Sequence, residues 1–300
     1  MSDNTSEQIV ALDRLSRDLK AAAATMSTQE ARYLVDLYYQ MQENRIRAAG
    51  QIRAMTTGES PEPHQTLAWV MGQGETLETS IKNALGTFAK SRKPGAWAQS
   101  IVGIGPVISA GLLAHIDVQR CGCPTYCTMP KEERPAHDCK GLQTVGHVYS
   151  YAGLAPGVKW GKGEKRPWNA SLKVLCWKIG QSFVKQSGRE NDFYGKVYLN
   201  RKALEAEKNE RKEYADQAAR ILTEKKISKD TEAYKSYSEG FLPKGHLQQR
   251  AERYAVKLFL SHYHEVAYFD AFGVKPPPPY AIGQLGHVDV IPVPNWPFTE

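Results

Sequence analysis

The sequence predicts a mostly α-helical protein: an N-terminal helical hairpin, then a helical domain that contains a helix-hairpin-helix and a Cys/His-rich insertion. Apolar residues recur at helical spacing in several long segments, and no succession of alternating strands is present. The 300 residues, 41% of them hydrophobic, suffice to bury a sizeable core. We expect three regions: a helical region at 1–95, the second domain at 96–272 with its insertion at 121–139, and a Pro-rich irregular tail at 273–300.

The composition argues against a membrane or secreted protein. No run of about 18 apolar residues occurs, so no transmembrane helix is expected. The start, MSDNTSEQ, lacks the basic and then apolar pattern of a secretory signal, and the C-terminus predicts no lipid anchor. We therefore expect a cytoplasmic protein without a membrane partner. Its net charge of +7 favours an acidic partner.

Residues 1–95 carry the pattern of long helices. Ser27 and Glu30 have the spacing of a capping box, in which a hydroxyl and a carboxylate each bind a free backbone N–H. This helix should end near Gly58, and a second should cover 75–92, so that the two form an antiparallel hairpin. Such helices usually pack or dimerise, which predicts a homo-oligomer through the N-terminal helices as one arrangement. The apolar stripe of the first helix is Leu34, Leu37, Tyr38 and Met41.

The C-terminal part predicts further helices and an irregular end. Residues 201–235 are highly charged and predict a solvated helix. Apolar positions from about Leu247 to Phe272 predict another helix. The prolines from Pro276 onward predict an extended tail.

Residues 97–116 predict a helix-hairpin-helix. A short apolar helix ends near Ile101, and Gly103-Ile-Gly105-Pro106 leads into a second one. The glycines let the backbone turn tightly and approach a phosphate without a Cβ in the way, and Pro106 suits a first helical turn. The free N–H groups there attract anions. We expect this hairpin to hold a DNA backbone without reading its sequence; an ordinary helical corner with no ligand is the alternative.

The stretch 159–196 is basic and rich in tryptophan. Its nine cations and three acids account for six of the chain's seven net positive charges. Cations neutralise phosphates, and aromatic faces stack on exposed bases. Trp177 falls in a helical pattern and is expected in the core, whereas Trp160 and Trp168 lie in loop sequence, where a binding role and a packing role are both open. The residues expected to bind DNA are Gly103, Gly105, Lys159, Lys162, Lys165, Arg166 and Lys173.

A short segment concentrates metal-ligand residue types. Thiolates and imidazoles are the ligands that zinc prefers, and four of them complete a closed structural site. We expect one structural zinc, held by four of the five candidates; a reduced, metal-free loop is the alternative. Four thiolates would leave the histidine spare, unless the first two cysteines lie too close to bind the same ion. The candidates are Cys121, Cys123, Cys127, His137 and Cys139.

Two motifs in this order resemble a known family. Gly103–Pro106 with the apolar helix after it is followed by Tyr151–Gly157, which is YAGLAPG. Together they resemble the C-terminal domain of the insertion-sequence 110/116/902 transposases, over roughly residues 75–186. The resemblance implies a helix-hairpin-helix, a GLxP turn, a basic glycine-rich loop, and a helix that begins near Asn169 and Leu172. It also implies DNA as the partner and DNA transposition or recombination as the process.

The chain departs from this family at both of its catalytic elements. The family carries a RuvC-like domain with metal-binding acids, but residues 1–95 show no strand-borne acidic motif. The family also places a nucleophilic serine in a loop after the GLxP turn, whereas residues 158–163 here are VKWGKG. Ser150 and Ser171 flank this region without matching the motif. We therefore assign no catalytic residue, and the cysteine segment 121–139 is an insertion relative to the family.

These features predict a DNA-binding protein, cytoplasmic and nucleoid-associated, that acts in transposition or recombination or is a degenerate derivative. RNA is a further polyanionic partner to consider. One alternative is an active transposase or recombinase whose nucleophile is not located, and another is a non-enzymatic helical scaffold. A helix-hairpin-helix glycosylase is disfavoured, because Pro106 and Val107 occupy the turn where its lysine would lie, and Asp117 is too near to be its distant carboxylate.

Overall fold

The computed structural model describes residues 15–55, 62–119, 141–158, 160–279 and 290–299. These residues confirm the mostly α fold: they form helices and no β-strand. None of the described helices is long and apolar enough to span a membrane. The helices are α1 (Arg17–Ala22), α2 (Thr28–Met55), α3 (Gln65–Lys90), α4 (Lys93–Gln99), α5 (Pro106–His115), α6 (Val145–Tyr151), α7 (Ala170–Gln186), α8 (Phe193–Glu210), α9 (Ala215–Glu224), α10 (Glu232–Ser238) and α11 (Lys244–Phe272).

The chain divides into two compact units. Unit 1 comprises Met1–Ala96 and Gly105–His115, and unit 2 comprises Trp97–Ile104 and Ile116–Glu300. The predicted boundary after residue 95 placed α5 in the second domain, whereas the structure groups it with unit 1. The physical reason is its apolar surface, which is buried in the same core as the side chains of α2 and α3. That core includes Val35, Leu85, Phe88, Val107, Ala110 and Ala114.

The α2–α3 hairpin of unit 1 begins with the predicted capping box. The Ser27 N–H donates to Glu30 Oε2 at 2.7 Å, and the Glu30 N–H donates to Ser27 Oγ at 3.2 Å. The hairpin is antiparallel, because Arg92 donates to the Met26 carbonyl while Arg45 Nε pairs with Glu78 Oε2 at 2.6 Å. Helix α3 begins ten residues earlier than predicted, at Gln65, where the side chain preceding it caps the Thr66 N–H. The predicted end of α2 near Gly58 lies outside the described residues.

Unit 2 is built around α11, which contacts α6, α7 and α8. Its core is aromatic: the Trp97 and Phe259 rings stack at 5.7 Å, and the Phe183 and Tyr194 rings stack at 5.0 Å. Helix α11 covers the predicted segment and ends at Phe272, and the following Gly273 caps it with a left-handed φ of +70°.

The irregular tail of unit 2 is hydrogen-bonded to its core. Trp97 Nε1 donates to the Pro294 carbonyl at 2.7 Å. His262 Nε2 lies 2.9 Å from the Ile291 carbonyl, and its Nδ1 lies 2.7 Å from the Tyr194 hydroxyl. A neutral imidazole satisfies both contacts, because one ring nitrogen donates and the other accepts.

The predicted solvated helix at 201–235 is interrupted. Helix α8 ends at Glu210, Lys212 has a φ of +58°, and α9 and α10 follow. The helix ends in a left-handed turn, in which the Glu213 N–H donates to the Lys208 carbonyl at 3.0 Å. A tertiary contact lies beside it: the Asn209 side chain donates to the Leu242 carbonyl at 3.1 Å and accepts from the Leu242 N–H at 2.8 Å. The segment also contributes to the interior, because Ala218 packs with Leu242 in a small apolar cluster.

Candidate nucleic-acid interface

The basic loop at 160–168 folds back on itself. Trp160 Nε1 donates to the Glu164 carbonyl at 2.7 Å, and the Gly161 N–H donates to Glu164 Oε2 at 2.9 Å. Gly163 makes the intervening turn possible, because its φ of +92° is unfavourable for any residue with a Cβ. The loop therefore has a defined turn from residue 160 to residue 164.

Two cations of the loop region lie over its tryptophan rings. The Trp160 and Trp168 rings meet edge to face at 6.2 Å. Arg166 Cζ lies 5.1 Å from the Trp160 centroid, and Lys173 Nζ lies 4.0 Å from the Trp168 centroid. Cation–π attraction holds the charges of Arg166 and Lys173 beside these rings. Neither side chain forms an ion pair with a carboxylate of the described residues.

The remaining loop lysines are solvent-exposed. Lys162 and Lys165 form no ion pair with any residue that the structure describes. Lys159, also expected to bind DNA, lies outside the described residues. Of the five cations predicted for the interface, four are thus placed on or next to one loop of unit 2.

A groove of about 930 Å³ in unit 2 begins where this loop ends. Helices α7, α8 and α11 line it together with the Gly153–Pro156 turn. A Cβ on Gly153 would lie 2.8 Å from the Trp168 ring, so the turn packs directly on the basic loop. Lys173 belongs to both features, because it lines the groove and covers Trp168. The loop and the groove therefore form one continuous surface.

The groove has two polar stripes at helical spacing. Lys173, Trp177 and Gln181 recur every four residues along α7, and Gln249, Arg253 and Lys257 do so along α11. The two helices approach closely at Gly180, where a Cβ would lie 3.2 Å from Val256 Cγ2. A Cβ at Gly180 would require Val256 to shift by a few tenths of an ångström, so glycine favours this close approach along the groove.

Positive charge outweighs negative charge in the groove. Its lining contains five cations, Lys173, Arg201, Arg250, Arg253 and Lys257, and two carboxylates, Glu205 and Glu252.

Both groove carboxylates are already hydrogen-bonded. Glu205 accepts from Arg201 at 2.8 Å, Arg250 at 2.7 Å and the Tyr214 hydroxyl at 2.6 Å. Glu252 accepts from the amides of Gln181 and Gln248.

These contacts and burial also affect the ionisation of the groove side chains. Burial would raise the Glu205 pKa, but the hydrogen bonds from Tyr214, Arg250 and Arg201 outweigh it, so the pKa is lowered. Burial lowers the pKa of Lys257, and Arg253 lowers it further. Arg253 itself is exposed and has no hydrogen-bond or ion-pair partner among the described residues. It is therefore an available cation of the groove.

The prediction that Trp177 lies in the core is wrong, because its side chain is 62% exposed. The buried face of α7 is formed by other positions of the helix, and Trp177 lies outside that face. The periodicity of α7 contained this signal, because residue 177 breaks the spacing of the buried set. The buried residues of α7 are Leu172, Leu175, Cys176, Ile179, Gly180 and Phe183.

The two hairpin glycines differ in what surrounds them. Gly103 has a φ of +91°, its carbonyl accepts a hydrogen bond from Ser182 Oγ at 2.6 Å, and a Cβ would lie 2.9 Å from that oxygen. The close approach expected for a phosphate is thus occupied by a side chain of α7. Gly105 differs, because a Cβ there would meet no atom within 4 Å. Pro106 is the first residue of α5, as predicted.

Asn169 and Leu172, matched through the family resemblance, have a local structural role. Asn169 Oδ1 accepts from the Leu172 N–H at 2.8 Å and caps α7, and its Nδ2 donates to the Tyr151 hydroxyl at 2.9 Å. These bonds tie the start of α7 to the YAGLAPG turn. Ser150 and Ser171 are exposed, and neither hydroxyl bonds a histidine or a carboxylate of the described structure.

The predicted zinc ligands Cys121, Cys123, Cys127, His137 and Cys139 lie outside the described residues. Within the described ranges, no three histidine, cysteine, aspartate or glutamate side chains form a metal-binding group. The residues that flank the segment are bonded to each other, because the Leu142 N–H donates to the Asp117 carbonyl at 3.1 Å.

The fifth cysteine, Cys176, is buried in α7. Burial raises the pKa of its thiol to about 12, so it remains protonated and unreactive at neutral pH.

Comparison of the chain with protein-family models, with curated proteins and with solved structures finds no match in any of the three.

Proposed function

We propose that the chain is a DNA-binding protein related to insertion-sequence transposases, located in the cytoplasm with the nucleoid. The observation that supports this most directly is the continuous basic surface of unit 2, where Lys162, Lys165 and Arg253 have no acidic partner among the described residues. Unpaired cations beside aromatic rings attract a phosphate backbone. RNA presents the same phosphates, so we propose it as a second substrate of this surface.

Binding should depend strongly on salt. Each phosphate that a protein cation neutralises releases counterions, and the slope of log K against log salt changes by about 0.9 per contact on duplex DNA. If Lys162, Lys165 and Arg166 each contact one phosphate, their replacement by alanine should make the slope shallower by up to about 2.7. Fluorescence anisotropy with a labelled duplex over a series of salt concentrations measures this change.

A matched variant separates a local contact from a general charge effect. Lys226, Lys229 and Lys235 are exposed cations of unit 2 outside the loop and do not line the groove. Their triple alanine variant loses the same three charges but should retain nearly the wild-type slope. Equal slopes for the two triple variants would show that the loop makes no specific phosphate contact.

A scaffold role for unit 1 is a second candidate, because the distal half of its hairpin exposes apolar side chains. Trp69 is 44% exposed, and Val70, Ile46 and Met55 are also exposed, on the parts of α2 and α3 beyond the Arg45–Glu78 pair. We propose that a second copy of the chain packs on this surface. Sedimentation equilibrium of the wild type and of a Trp69→Glu, Val70→Glu variant tests it: a dimer that becomes a monomer supports the proposal, and a monomeric wild type contradicts it.

A further inference from the structure

Trp177 is an aromatic side chain of the groove whose ring contacts no other ring and no cation of the described residues. The Tyr254 ring has Arg201 Cζ at 4.6 Å from its centroid, and the Trp168 ring has Lys173 Nζ at 4.0 Å. Trp177 is more exposed than either and contacts no ring or cation of the described residues. An exposed indole ring offers a large, rigid surface on which a planar group can stack.

The side chains around Trp177 suit a phosphate backbone. Lys173 lies one helical turn before it on α7, and Arg253 belongs to the opposite wall of the groove. The exposed amide of Gln249, four residues before Arg253, can donate to or accept from the polar edge of a base. Cations on both walls, with an exposed aromatic ring on the wall that carries Lys173, form an arrangement that suits single-stranded nucleic acid.

We propose that an unpaired DNA strand binds in this groove, with one base stacked on Trp177 and its phosphates held by Lys173 and Arg253. The assignment rests on the DNA-binding function proposed above and specifies its substrate as unpaired nucleotides. They would come from a single-stranded, branched or locally opened substrate.

The dimensions of the groove favour a strand over a duplex. About 930 Å³ falls within the range of clefts that enclose small molecules, which is enough for a few nucleotides. The bases of a duplex already stack on one another, so an aromatic side chain reaches a base face only when the base is unstacked. An acidic peptide would pair with Lys173 and Arg253, but it would leave the Trp177 ring without a planar partner.

Two oligomers of equal charge separate stacking from phosphate binding. One is labelled oligothymidine of about 12 nucleotides, within the site sizes of single-strand binding folds, and the other is an abasic oligomer of the same length. Trp177→Ala should weaken oligothymidine binding roughly 5- to 150-fold, the range expected for one stacked base, and should leave abasic binding unchanged. Trp177→Phe retains a ring and should lose much less affinity. Val174→Ala, an exposed apolar residue of the same helix that does not line the groove, is the control and should change neither.

Tryptophan fluorescence provides a second readout. Oligothymidine should quench the wild type, and the Trp177→Phe variant should bind while losing most of that quenching. The inference is overturned if Trp177→Ala weakens both oligomers equally, or if quenching persists in Trp177→Phe. In that case duplex binding that still depends on Lys162, Lys165 and Arg166 leaves the proposed function standing. If the wild-type protein binds neither the oligomers nor duplex DNA, both the proposed DNA-binding function and the single-strand inference are overturned. If poly-glutamate displaces oligothymidine at equal charge, the groove binds an acidic peptide instead.

Discussion

The two glycines of the hairpin are predicted to respond oppositely to the same substitution. Gly103→Ala places a Cβ at a φ of +91°, and that Cβ would lie 2.9 Å from Ser182 Oγ. Gly105→Ala places a Cβ where no atom lies within 4 Å, at a residue that precedes a proline and so adopts extended backbone angles open to alanine. We expect Gly103→Ala to destabilise unit 2 and Gly105→Ala to leave the fold intact.

The magnitude follows from two costs at Gly103. A left-handed conformation costs a residue with a Cβ about 1–2 kcal/mol. The Ser182 hydroxyl must also move, which costs the hydrogen bond to the Gly103 carbonyl, about 1 kcal/mol. The sum is about 2–3 kcal/mol, and in a domain of 150–250 residues each kcal/mol lowers Tm by about 2–4 °C. We therefore expect a decrease of roughly 4–12 °C for Gly103→Ala.

Circular dichroism melts of both variants, with duplex binding measured at a temperature where each is folded, test this reasoning. Gly105→Ala should melt like the wild type but bind duplex DNA more weakly, if the open side of the hairpin approaches a phosphate. A Gly103→Ala protein as stable as the wild type would refute the structural role of Gly103. Normal duplex binding by Gly105→Ala would refute the phosphate role of the hairpin and leave binding to the loop and groove.

Three further predictions concern metal, charge and pH. Protein purified without added metal should contain about one zinc per chain by elemental analysis, and less than about a tenth of an equivalent, with the clustered thiols freely titratable, would indicate a reduced loop. Glu205→Gln should lower the free energy of unfolding by about 1–3 kcal/mol in urea, because it removes the buried negative charge that two half-buried arginines pair with. Glu213→Gln, which breaks the exposed pair with Arg211, should cost less than about 1 kcal/mol. Burial lowers the pKa of His115, His262 and His264 to about 4. Between pH about 6.5 and 4 the unfolded chain therefore binds more protons than the folded chain, and the free energy of unfolding should fall as pH decreases through that window. His262→Gln should make that decrease shallower by up to about 1.4 kcal/mol per pH unit, and an unchanged slope in urea titrations at successive pH values would contradict the assignment.

Features encoded by neighbouring residues were predictable from sequence. The Ser27–Glu30 capping box is present with both of its hydrogen bonds, Pro106 begins α5, and α11 occupies its predicted segment. In each of these cases the determining contacts lie within one or two helical turns, so spacing alone specifies them.

Features that depend on distant residues were not predictable from sequence. The packing of α5 with unit 1 depends on its match to the apolar faces of α2 and α3, and the pattern of α5 does not specify which helices it contacts. The groove is lined at Gly180, where the lack of a side chain favours the close approach of α7 to Val256 of α11. In the sequence, Gly180 is simply a glycine inside a helical pattern. Arg253, an unpaired cation of the groove, lies far from the basic stretch at 159–196 in the sequence.

The distribution of acids explains how a modest net charge yields a strongly basic surface. Several acids are removed from the surface: Glu78 is buried with Arg45, Glu205 with two arginines and a tyrosine, and Glu252 with two amides. Glu205 engages two cations, so its site retains one positive charge, while Lys173 and Arg253 remain available on the groove walls. In the proposed complex a polyanion would meet these cations, whereas the buried Glu252 lies beside Gly180 and would repel a phosphate placed there. For the strand proposed above, this separation of charges favours phosphates beside Lys173 and Arg253, away from Glu252, with a base stacked on the exposed Trp177 ring.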